Sequence, residues 1–214
     1  MNVILLNEVQ TTLDIFMTIA WTITYVLCVI GIIIYKKRII PTYFFTFNFA
    51  IEIACLIYFC IHKATYLIFI YSIWALLEIA MIVLFFRYHL LNKKNIIQHA
   101  LLLAANVLIA MYLIMEKKQM TVINYLYALI GVIIWYIGIF KKDYPLRALT
   151  LIIFVIKFLA DASVIYTYFD VSKPFVDVVC IALPALDFTF IPTYFILKRR
   201  NKFVLNVNEE KDVC

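Results

Sequence analysis

Five ionisable side chains stand inside long apolar runs: Glu52, Glu78, Lys157, Asp161 and Asp187. A charge at the middle of a spanning helix costs at least about 2.5–3.5 kcal/mol, so such residues normally turn inward to a functional site. Lys157 and Asp161 are four residues apart, stacked on one helix face, and read first as an internal ion pair. Glu52 and Asp187 have no basic residue within a helical turn. A carboxyl set among hydrocarbon and carried as the neutral acid is both a hydrogen-bond donor and a general acid. The plainer alternative is an acid that only hydrogen-bonds neighbouring helices. On the helical face of Glu52 lie Phe45, Asn48, Phe49, Cys55 and Phe59. Tyr71, Trp74 and Phe85 surround Glu78, and Phe190 and Tyr194 follow Asp187. Asn48, one turn before Glu52, is placed to hydrogen-bond it. Aromatic faces stabilise cations by roughly 2 kcal/mol or more when dry. Acids among aromatic walls therefore suit a proton-initiated carbocation reaction.

These residues are positioned by a chain that is mostly lipid-soluble. Of 214 residues, 66% are hydrophobic and 15% charged, against about half and a quarter in water-soluble domains. With 3 Gly and 5 Pro the chain is neither loop-rich nor of low complexity. The apolar runs have the length needed to cross roughly 30 Å of hydrocarbon. They predict an all-α, polytopic membrane protein, a seven-transmembrane-helix bundle with spans near 14–35, 40–61, 65–89, 96–115, 120–140, 146–169 and 174–197. One transmembrane domain over 1–200 is followed by a polar, disordered tail over 201–214. Short connections predict that consecutive helices are antiparallel neighbours. Lys and Arg alternate in density between the loops. Fourteen fall after spans one, three, five and seven, and four on the other side. That asymmetry places the N-terminus outside or in the lumen and the C-terminus in the cytoplasm. It accounts for the net charge of +6 better than nucleic-acid binding does. Bacterial inner membrane and endoplasmic reticulum obey the same rule. Met1 to Asp14 lacks Lys and Arg, so the first run is expected to remain as a span.

Other chemistries find little support. The five cysteines include no CxxC pair, which predicts neither a disulfide framework nor a metal cluster. His62, His89 and His99 fall near span ends, where an interfacial role is expected. No Walker loop, GxGxxG or HExxH occurs. A retinal-type Schiff base on Lys157 is disfavoured by its place in span six. Pro184 and Pro192 bracket Asp187 and are expected to kink or loosen span seven. Gly131 and Gly138, seven apart in span five, mark a close helix-packing face.

Ile19-Ala20-Trp21 through Tyr25, then Gly31, a basic turn, Pro41 and Asn48-Phe49-Ala50-Ile51-Glu52 resemble the opening of the small seven-helix membrane terpene cyclases. These enzymes serve fungal meroterpenoid and indole-diterpene pathways and have bacterial relatives. Trp74 with Glu78 resembles the Trp and acid of the family's third helix, and Asp187 the acid of its last. Ile51 stands where the family usually has Trp. The resemblance implies acid-initiated cyclisation of a linear prenyl or meroterpenoid epoxide or alkene, with Glu52 and Asp187 as the catalytic acids. Supporting positions are then Trp21, Tyr25, Phe45, Asn48, Phe49, Tyr71, Trp74, Glu78, Lys157, Asp161, Phe190 and Tyr194. No cofactor or metal is required; the partners are a lipophilic substrate and the bilayer. A small proton- or cation-coupled transporter is the alternative, and a lipid head-group hydrolase a third reading. Transporters often repeat broken helices in matching halves, whereas here the interrupting prolines fall only in span seven.

Overall fold

The computed structural model describes residues 3–91, 93–115, 120–141, 147–168 and 174–208. These form seven α-helices: α1 (Val3–Tyr35), α2 (Thr42–Ile61), α3 (Thr65–Arg87), α4 (Lys93–Met115), α5 (Met120–Phe140), α6 (Ala148–Tyr168) and α7 (Pro174–Asn208). Their bounds follow the apolar runs closely, with two differences at the ends. Helix α1 begins at Val3, well before the predicted start at 14. Helix α7 continues to Asn208, so much of the expected disordered tail is helical. No Gly or Pro follows Pro192 to stop it. Residues 209–214 of that tail lie outside the described residues.

Helices α1, α2, α3 and α7 are each long and apolar enough to cross a membrane. The described apolar stretches of α4 and α5, Ile96–Tyr112 and Tyr125–Phe140, are shorter. The surface agrees with lipid as solvent: Leu76, Leu101 and Leu108 are about two-thirds exposed, while Glu78, Lys157, Asp161 and Asp187 are fully buried. Hydroxyls inside the helices are satisfied locally. Thr24 and Thr46, for example, each donate to the carbonyl one turn earlier, Ala20 and Thr42.

The packing departs from simple nearest-neighbour order. Helix α1 packs on α3 and α6, α6 on α7, α7 on α5, and α5 and α3 on α2. That closes a ring of six, with α4 laid outside against α2 and only lightly touching α5. Consecutive helices are thus not all neighbours: among the described residues α1 does not pack on α2, nor α3 on α4, nor α5 on α6. The first of these separations has a visible cause. Ile39 and Ile40, in the linker after α1, are about 1% exposed and tuck beneath the bundle. A Cβ on Gly31 would stand 2.5 Å from Ile39 and 2.9 Å from Leu149, so this glycine admits both the linker and α6. The chain crosses under the bundle before α2 begins.

Helix α7 runs unbroken through Pro184 and Pro192. Each proline removes an N–H, leaving the carbonyls of Cys180 and Phe188 without their helical donors. Between them, the Tyr136 hydroxyl of α5 reaches the Leu186 carbonyl at 3.1 Å and Thr189 Oγ1 at 2.9 Å. This side-on support ties α5 to α7 across the interrupted stretch.

Of the two glycines expected on a close-packing face of α5, Gly131 is a close-approach site. A Cβ there would lie 2.0 Å from the Phe44 ring of α2. Gly131→Leu should therefore push α2 and α5 apart and cost about 1–3 kcal/mol. The loss is to be read as a lower thermal midpoint of the purified protein, and an unchanged midpoint would remove Gly131 as a packing constraint.

Candidate functional site

The gap left between α1 and α2 is a cavity of about 660 Å³, closed by α3 and α5. Its α1 wall is a single helical face: Asp14, Thr18, Trp21 and Tyr25 at intervals of four, three and four residues. Helix α2 contributes Asn48, Glu52 and Phe59, in the same register. Helix α3 brings Tyr66, Tyr71 and Trp74, and α5 brings Tyr125 and Ala128. Thr11, two turns into α1, and Tyr66, at the start of α3, are both exposed, so the mouth lies toward the N-terminal part of α1, the start of α3 and the end of α2. The floor, at Asn48 and Glu52, lies mid-helix.

The floor is organised by hydrogen bonds that cross the gap. Tyr25 Oη donates to Glu52 Oε1 at 2.5 Å, and Asn48 Nδ2 donates to the same hydroxyl at 3.2 Å. Receiving Asn48's proton commits the Tyr25 hydroxyl to giving its own to Glu52. Trp74 Nε1 donates to Thr22 Oγ1 at 2.9 Å, which fixes the indole between α3 and α1. The ring centroids of Trp21–Tyr25, Tyr25–Trp74 and Tyr71–Trp74 are 6.0, 6.3 and 5.1 Å apart. These distances are typical of tilted and edge-on aromatic pairs. The wall is therefore rigid and aromatic.

Glu78 of α3 sits against this floor, close enough to Glu52 and Tyr25 to interact with both. Glu52 Oε2 and both Glu78 oxygens are buried without a hydrogen-bond donor. Two facing carboxylates bring acceptors only, so the pair is satisfied when a proton lies between them. Among the described residues, no Lys, Arg or His lines the cavity to serve instead.

The second ionisable cluster lies elsewhere. Lys157 Nζ is 2.5 Å from Asp161 Oδ2 and 2.7 Å from Asp187 Oδ2, all three side chains fully buried. The predicted Lys157–Asp161 pair is present. Asp187, expected to stand without a basic partner, has one from α6. Its carboxyl does not line the cavity. The five membrane-depth residues therefore do not converge on one pocket. They split in two, with Trp21 between: its ring lines the cavity and lies 5.1 Å from the Lys157 ammonium.

The aromatic residues divide likewise. Trp21, Tyr25, Phe59, Tyr71 and Trp74 line the cavity. Phe45 stacks on Phe49 and meets Phe85 edge-on, as core packing behind α2. Phe190 stacks on Phe154 at 3.7 Å and neighbours Tyr194, also away from the cavity. Asp14, at the predicted start of span one, lines the mouth, and its Oδ1 is buried without a hydrogen-bond partner. The signal for it was present: Asp14 is one heptad before Trp21 and shares its face.

The separate cluster supplies a clear test of stability. Lys157→Met strands two buried carboxyls and should cost about 3–5 kcal/mol, while Lys157→Met combined with Asp161→Leu and Asp187→Leu should recover most of it. Thermal unfolding of the two variants decides this, and equal destabilisation of both would show that the cluster is held by something other than its ion pairs. No family model, curated protein or solved structure matches the chain, so the reading of the site rests on this geometry.

Proposed function

We propose that the chain is an integral-membrane terpenoid cyclase that starts its reaction by protonating an epoxide or alkene of a linear prenyl substrate. All seven helices cross the bilayer in this reading, with the N-terminus outside or lumenal. The cavity mouth then opens toward that side. The observation that carries the proposal is Glu52 at the floor of an aromatic-walled cavity, with the Glu78 carboxyl packed behind it and no Lys, Arg or His among the described lining residues. It shifts the chemistry from Glu52 and Asp187 to Glu52 and its neighbour Glu78, because Asp187 is engaged by Lys157 away from the cavity.

The steps follow from these groups. Glu52 gives its proton to the epoxide oxygen, the carbon–oxygen bond breaks, and positive charge develops on the more substituted carbon. The π-electrons of the next alkene close a carbon–carbon bond, passing the charge along the chain. Trp21, Tyr71 and Trp74 stabilise it through their ring faces and exclude the water that would quench it. Loss of a proton from carbon to the carboxyl pair ends the sequence, so substrate and product are isomers and the acid is regenerated. Tyr25 and Asn48 keep Glu52 oriented. Asp187, with Lys157 and Asp161, supports the far side of Trp21 and acts only through it.

Membranes containing the protein, incubated with linear prenyl epoxides and alkenes, should yield cyclic isomers by mass spectrometry. Glu52→Gln should lower the rate by about 10²–10⁴, the usual contribution of a general acid. Tyr25→Phe should cost less, since it removes only a hydrogen bond to the acid. Full activity in Glu52→Gln would sink the assignment, and proton-coupled solute uptake in proteoliposomes without cyclisation would favour a transporter.

A further inference from the structure

The lining of the cavity is one-sided in charge. Among the described residues it presents the carboxyls of Asp14 at the mouth and Glu52 at the floor, aromatic rings between them, and no cationic side chain. On the floor, Glu52 Oε1 accepts from Tyr25 and its Oε2 is left to Glu78 beside it, whereas Asp14 Oδ1 is buried at the mouth without a hydrogen-bond partner or a second carboxyl beside it among the lining residues. An unanswered acceptor on a cavity wall calls for a donor from whatever fills it. Trp21 already takes an ammonium against its ring, that of Lys157. Asp14 and Tyr25 are eleven residues apart on α1, about 16 Å at 1.5 Å per residue. That span suits a ligand with a polar end at the mouth and a hydrocarbon chain running to the floor.

We propose that this cavity binds lipophilic amines, the ammonium held by Asp14 and the chain packed along Trp21, Tyr71 and Trp74 to Glu52. A mostly apolar cavity with a half-buried carboxylate at its mouth, one oxygen of which has no hydrogen-bond partner, takes a cation better than a neutral molecule of the same shape. The ammonium and its chain also gain from the aromatic faces. This site goes beyond cyclisation, because the same walls hold a stable cation whether or not the protein makes a transient one.

The test uses the full chain in lipid nanodiscs, with N,N-dimethylfarnesylamine and farnesol as probes of matched chain. Saturable change in tryptophan emission is read against empty nanodiscs. The amine should saturate at a concentration about tenfold or more below the alcohol, in line with charge-assisted over neutral hydrogen bonding. Asp14→Asn should remove most of that preference, and Asp14→Glu should restore it, which separates charge from folding. Equal binding of the two probes overturns the proposal. So does a preference that survives Asp14→Asn, or one that disappears only in Glu52→Gln. Amine preference without any cyclic product would leave this inference standing and remove the cyclase reading; cyclic product without amine preference would do the reverse.

Discussion

The Tyr25–Glu52 hydrogen bond is the contact around which the site is arranged. It joins two helices whose backbones do not otherwise meet. In water such a bond would add little, because both groups would be equally well solvated. Inside an apolar bundle the alternative to pairing is an unpaired polar group, which is expensive, so the bond persists although helix packing does not enforce it. The separation of α1 and α2 then follows from side-chain length. A tyrosine and a glutamate meeting tip to tip hold their helices apart, and the space beside them is the cavity. Asn48 and Trp74 extend the arrangement by fixing the hydroxyl and the nearest indole.

The second cluster solves the same desolvation problem differently. Lys157 sits between two aspartates, one a turn further along its own helix and one on α7, and so ties α6 to α7. Its ammonium also meets Trp21 of α1. One buried cation thus reaches three helices, on the side of the ring opposite to α2 and α4 in packing order. Buried ion pairs are weak evidence for stability, since well-packed hydrocarbon can do as well. Their value here is geometric: a lysine that must find both carboxyls restricts how α6 and α7 can slide, and a fixed α6 presents a fixed support to Trp21. The wall of the cavity is rigid partly for that reason.

Much of this was legible in the chain. Glu52, Asn48, Trp21, Tyr25, Tyr71 and Trp74 share helical faces with one another, and burial follows face. Helix extents were visible because apolar runs end at basic turns. What could not be read was which face meets which. Nothing in the local sequence of Asp187 announces Lys157, thirty residues away on another helix, and a search within one helical turn necessarily misses it. The order of helices in the ring was equally hidden. Short connections argue for neighbours, but two buried isoleucines in the first linker carry the chain across the bundle instead.

The division of the ionisable residues into two groups narrows the chemistry available to each. A carboxyl engaged by an ammonium has its charge answered there; two carboxyls facing each other, with no cationic side chain beside them among the described residues, are answered only by a shared proton. Separation by an indole keeps these environments from averaging, since Trp21 has one donor, no acceptor and no titrating group. A bundle containing one lysine at membrane depth therefore has a choice of where its acids remain acids. Placing that lysine between Asp161 and Asp187 leaves Glu52 and Glu78 as the pair beside open space, and it is the open space, rather than the mere presence of carboxyls, that makes a buried acid useful.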